Sequence, residues 1–114
     1  MDLNDGKISQ VMHFIMSCVV RRLHFKEAAR LIEQLPPHLR DPLLDLPAGP
    51  DRSITVFGIL DGMIKGFSMT EPQAQMMLAR FWTQLSSWLE PETFDDVRGT
   101  LFNEPKPLPM KKVA

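Results

Sequence analysis

Apolar residues recur along this chain at helical spacing, and the same pattern occurs twice. Ile8, Val11, Met12, Ile15, Val19 and Leu23 are three or four apart, as one face of a helix requires. Sixty-six residues later Ala74, Met77, Leu78, Phe81, Leu85 and Leu89 repeat the phase. After a break in each copy, Ala28, Leu31 and Leu35 are matched by Phe94, Val97 and Leu101 at the same offset. Each copy predicts a long helix, a tight joint and a short helix. The phase survives the joint, which two unrelated amphipathic helices would not ensure.

Local signals set the boundaries. Asn4 or Asp5 can cap a first helix running to about Leu23, with Arg21 and Arg22 at its negative pole. A short helix follows over 25–35. Pro36-Pro37 stops it and opens a further turn over 37–44. Residues 45–52, Asp-Leu-Pro-Ala-Gly-Pro-Asp-Arg, read as a stiff, irregular linker. From Asp51 or Ser53 a helix over 54–67 is expected, although Ile54-Thr55-Val56-Phe57 also suits a strand. Thr70 and Gln73 form a capping box, and Met69 can staple onto Ala74. That helix runs to about Leu89. Glu90-Pro91-Glu92 starts the last helix, which ends near Phe102.

The expected fold is all-α: a small bundle of about five to six helices built from two tandem helical-hairpin repeats. Residues 1–102 form one domain, with repeat one over 5–44 and repeat two over 53–102. Residues 103–114 make a flexible tail rich in proline and lysine. Helix 54–67 has no counterpart in the first repeat, because its place would fall before residue 1. The first long helix is therefore expected to lack a covering helix.

Glu27-Ala28-Ala29-Arg30-Leu31-Ile32-Glu33-Gln34-Leu35-Pro36 resembles the "EA..L..QLP" signature of a bacterial all-helical family named domain of unknown function 2267. Thr93-Phe94-Asp95-Asp96-Val97-Arg98-Gly99-Thr100-Leu101 resembles its second signature, "EFDDVRAQLP". That family also carries two such units in tandem. Three departures stand out. The first unit has no opening helix, Phe102 stands where the second signature has proline, and His24-Phe25-Lys26 replaces a glycine-rich joint. The resemblance implies an all-helical fold and a bacterial cytoplasmic setting. It implies no catalytic residues, since none are established for the family.

Composition narrows the function classes. Apolar content of 44% and charged content of 24% are ordinary for a globular chain. A net charge of −1 gives no field to attract nucleic acid or anionic lipid. The single cysteine, Cys18, excludes an internal disulfide framework and fits a reducing compartment. The acidic start argues against a signal peptide. No apolar run is long enough to span a membrane.

No catalytic, cofactor or metal site is expected. His13 and His24 are eleven residues apart, roughly 16 Å along a helix, too far to share one metal. Cys18 lies mid-helix and reads as a small packed hydrophobe rather than a nucleophile. Glu90, Glu92, Asp95 and Asp96 read as helix-start charge, with Asp95 and Arg98 expected to pair across a turn.

Two features point to contact with a partner. Gly58, Gly62 and Gly66 stack on one helix face, where each costs roughly 1 kcal/mol against alanine unless close packing offsets it. Eight methionines are many for this length and suit adaptable apolar surfaces. Met76, Ala79 and Trp88 fall off the shared core stripe. The candidate interface is Ile8, Met12, Met16, Gly58, Gly62, Gly66, Met76 and Trp88. The expected function is a non-enzymatic helical protein–protein interaction module, self-associating as a homo-oligomer, most simply a two-fold dimer. A further protein partner is not identified by the sequence. One alternative is a carrier of small apolar ligands or lipids, with the Met- and Phe-lined interior as its pocket. Another is a nucleic-acid adaptor using Arg21, Arg22, Arg30 and Arg40. Neutral net charge and the absence of interleaved aromatics argue against that one.

Overall fold

In a computed structural model of the protein, the described residues are 5–47 and 49–102, the side chain of Asp5 excepted. The possible cap at Asn4 and the tail over 103–114 lie outside them. The described residues form six α-helices: α1 (Asp5–Arg22), α2 (Phe25–Gln34), α3 (Pro37–Leu44), α4 (Val56–Gly66), α5 (Glu71–Trp88) and α6 (Pro91–Phe102). They contain no strand. The fold is an all-helical bundle.

Each helix end has a chemical cause. The His24 imidazole Nδ1 accepts the Lys26 N–H at the start of α2, so this joint works without glycine. Pro36 forces Leu35 into an extended conformation and ends α2 at Gln34. Where the second unit has Phe102 instead of proline, α6 runs on for 12 residues against 10 in α2. Arg40 reaches back from α3 and donates to the carbonyls of Leu35 and Glu33, satisfying acceptors at the end of α2. Thr55 caps α4, and Thr70 with Gln73 closes the capping box of α5.

The linker does not hang free. The Asp51 N–H donates to the Arg21 carbonyl at 2.8 Å, and the Arg21 guanidinium pairs with the Asp51 carboxylate at 3.3 Å. Asp51 also accepts from the Ser53 N–H and hydroxyl. These ties engage Asp51 and Ser53, so neither caps α4, which begins later than the spacing predicts. A Cβ placed on Gly49 would run into the carbonyl oxygens of Arg21 and Leu23. Only glycine lets the linker lie this close to the end of α1.

The core corrects the expectation that α1 is uncovered. α4 packs against both α5 and α1, and α1 packs on α5 and α2 as well. Val11, Ile15, Val19 and Leu23 are fully buried within the chain. Each such side chain contributes roughly 1.5–3 kcal/mol of transfer free energy. The Phe14 ring on α1 lies over Gly62 on α4, where an added Cβ would stand 2.7 Å from Phe14 Cζ. Phe14 also meets Phe67 edge-on, with ring centroids 5.6 Å apart. One helix serves two long ones, so no second covering helix is needed.

Candidate interaction site

α2 and α6 lie antiparallel and are joined by a polar seam. The Glu27 carboxylate accepts from the Thr100 hydroxyl at 3.3 Å. Arg30 donates to Thr93 at 3.1 Å and to Asp96 at 3.4 Å. Gln34 donates to Thr93 at 3.0 Å and to the Glu90 carboxylate at 3.2 Å, and accepts the Glu90 N–H at 2.8 Å. Beneath the seam Leu31 and Val97 are fully buried. The two signature stretches of the sequence are thus each other's packing partners. Their polar residues hold two helices together, and this accounts for them without chemistry on a substrate.

Arg30 and Asp96 stand 66 residues apart, the offset at which the apolar pattern of the sequence recurs.

The eight candidate interface residues do not form one surface. Met12, Met16 and Trp88 do converge, with His13, His38 and Phe81, on an open hollow of about 350 Å³ between α1, α3 and α5. Met16 is buried at its base, and Met12 and Trp88 are half-buried in its walls. His13 and His38 are exposed. Ile8 is partly buried against the core. Met76 is exposed and, like Ala79, points away from the packed face of α5. The three glycines also separate. Gly62 is covered by Phe14 of its own chain, Gly58 sits beside its cap Thr55, and Gly66 has open space around it. The close approach predicted for the glycine face is made at Gly62 alone, by a ring rather than by a backbone.

A second apolar hollow, of about 330 Å³, lies on the other side of α3, against α2 and the linker. Ala28, Ile32 and Leu43 form its floor and walls, with Phe25, Leu44 and Glu33 also lining it. Phe25 is 56% and Leu44 65% exposed. Leu43 lines both hollows, so α3 is a thin partition between them.

The arginines named for nucleic-acid contact are engaged within the chain. Arg21 pairs with Asp51, Arg30 with Asp96 and Thr93, and Arg40 with the end of α2. Arg22 is buried. Asp95 makes no ion pair among the described residues. Arg98 instead lies over the Phe102 ring at 5.2 Å, correcting the expected Asp95–Arg98 pair. Cys18 is half-buried, and burial pushes its thiol above the usual range against a smaller opposing pull from Arg21. The described residues contain no group of three or more His, Cys, Asp or Glu placed to hold a metal ion. No helix among them is long and apolar enough to cross a membrane.

No family model, curated protein or solved structure matches the chain. The family resemblance rests on the two signatures quoted above.

The sequence reading missed the seam and both hollows. Phe57, in the first turn of α4, is 78% exposed. Trp82 lies between Phe81, Phe94 and Phe102, with its buried indole N–H unpartnered among the described residues.

Proposed function

We propose that this chain is a non-enzymatic helical interaction module that self-associates. The hollow of Met12, Met16 and Trp88 is its receiving surface, and Phe57 is its projecting residue. One observation carries the reading. The interior is filled, while an open apolar hollow and a phenyl ring 78% exposed are both presented to solvent. Exposed aromatic side chains and half-buried apolar pockets are the material of interface hot spots. A carrier would need an enclosed cavity. Met63 and Met77 are fully buried, and Phe81 nearly so, filling the space an interior ligand would need. This favours a protein partner over a carried ligand. The neutral charge and the intramolecular ties of Arg21, Arg30 and Arg40 likewise disfavour a nucleic-acid adaptor. The two signatures are consistent with membership of the tandem-repeat family they resemble, and with its bacterial cytoplasmic setting.

The basis for self-association differs from the one the sequence supplied. It is no longer an uncovered α1 but a projecting ring and a hollow that can receive it. The test is light scattering from micromolar to several hundred micromolar, on the wild type, Phe57→Ala and Trp88→Ala. A mass that rises with concentration, and rises less in both variants, supports the proposal. A monomeric mass throughout overturns it.

A further inference from the structure

We propose that His13 and His38 make self-association pH-dependent. Neutral, their imidazoles admit the Phe57 ring of a second copy to the hollow between α1, α3 and α5; protonated, they oppose it. This regulation rests on the self-association proposed above and acts at the same surface.

Two facing helices each present one imidazole to the hollow, His13 from α1 and His38 from α3, beside Met12, Met16, Phe81 and Trp88. Among the described residues, no aspartate, glutamate, lysine or arginine lines it. Histidine is the side chain whose charge ordinarily changes between pH 5 and 8. Within that interval the hollow passes from an uncharged apolar surface to a doubly cationic one.

Nearby charges do not offset the change. Asp41, one turn after His38 on α3, is exposed and outside the lining, where water and salt screen it. Glu90, two residues beyond Trp88, accepts from Gln34. Arg40 is turned to the end of α2. Lys7, two residues before Ser9 in the lining, and Arg80, next to Phe81, carry the same sign as an imidazolium.

The incoming segment also favours the neutral form. Phe57 is the second residue of α4, so its ring brings the positive pole of that helix to the hollow. Asp61, one turn further on, is already paired with Lys65 at 3.3 Å. Arg52, in the linker before α4, is exposed and cationic. A ring seated in the hollow withdraws water from the imidazoles, which costs the charged form far more than the neutral one. Desolvation and like charge act in the same direction. The complex binds fewer protons than the separate chains, so association strengthens as pH rises and weakens as pH falls through the imidazole range.

The test is the dissociation constant of self-association, from light-scattering dilution series at pH 5.5, 6.5 and 7.5 and fixed ionic strength, on the wild type and His13→Gln/His38→Gln. For an imidazole of ordinary pKa, about 6.5, excluding the cation from the complex raises the dissociation constant about tenfold between pH 7.5 and 5.5. The wild-type constant should rise at least tenfold over that interval. The double variant keeps His24 and every carboxylate, and its rise should be at least threefold smaller. The wild type also gives an independent readout, which decides the matter if the double variant no longer associates. In NMR titrations of the imidazole C2 protons at low and high concentration, His13 and His38 should titrate at lower pH in the associated state, and His24, outside the hollow, should not move. A wild-type rise below tenfold, a rise that the double variant leaves within threefold of the wild type's, or titrations of His13 and His38 unmoved by concentration overturns the pH dependence and leaves self-association standing. A monomeric mass at every pH overturns both.

Discussion

Replacing Gly49 by alanine tests how the linker is fastened to α1. The new Cβ would collide with the carbonyl oxygens of Arg21 and Leu23. Both are backbone atoms at the end of a packed helix, so the linker must lift. Lifting breaks the bond from the Asp51 N–H to the Arg21 carbonyl, worth about 0.5–1.5 kcal/mol. It also loosens the Arg21–Asp51 pair, whose side chains are 41% and 38% exposed and whose attraction solvent screens. Against this, alanine lowers the entropy of the unfolded chain by about 0.4–1 kcal/mol. Residual overpacking adds to the cost. The net expectation is a destabilisation of about 1–2 kcal/mol in urea melts. A double-mutant cycle with Asp51→Ala makes the test specific. Once the linker has lifted, Asp51→Ala should cost less than it does in the wild type, because both changes undo one fastening. Unchanged or raised stability in Gly49→Ala, or strict additivity with Asp51→Ala, would refute the reasoning.

Leu31→Ala and Val97→Ala remove fully buried side chains beneath the seam and should cost about 2–4 kcal/mol and somewhat less, respectively; denaturant melts in which either is neutral would contradict the packing described. The glycines of α4 should respond unequally in the same assay. Gly66→Ala, with open space around it, should stabilise by up to about 1 kcal/mol, whereas Gly62→Ala, against the Phe14 ring, should gain nothing or lose stability. Cys18 should react slowly with thiol reagents at neutral pH. Because its folded thiol is held above the usual range, it stabilises the fold fully below the unfolded thiol pKa, and that contribution should fade as pH rises through the raised folded value; fast labelling of the native protein, or no alkaline decline attributable to Cys18 when compared with Cys18→Ala, would count against this.

What was legible in the sequence was local. Pro36-Pro37 marks the α2–α3 boundary because proline acts on its immediate neighbours, and α3 spans the expected residues. The Thr70–Gln73 box is likewise a contact across three residues. Where the spacing misplaced an element, a distant group had intervened. Asp51 was available to start α4 until Arg21, 30 residues earlier, engaged it. The seam was hidden for the same reason. Its partners lie 56 to 73 residues apart, while helix spacing rules detect neighbours three or four apart. Asp95 and Arg98 show the converse: the local rule predicts their pairing, but the aromatic ring of Phe102 offers Arg98 a different neighbour. The turn between α4 and α5 places Ser68 at a φ of 55°, a left-handed conformation that serine does not announce. The hollows depend on how α3 is set against α1, α2 and α5, and no residue pattern specifies that.

The covering of α1 by later helices has a consequence for the order of events at the ribosome. Sixty-six residues separate Arg22 at the end of α1 from Trp88 at the end of α5. At about 5–20 residues per second, that interval takes roughly 3–13 s to synthesise. Throughout it, Val11, Ile15 and Val19 are already made while much of what will bury them is not. The nascent chain must therefore carry an exposed apolar helix for seconds, as a target for holdase chaperones and a risk for aggregation on crowded polysomes.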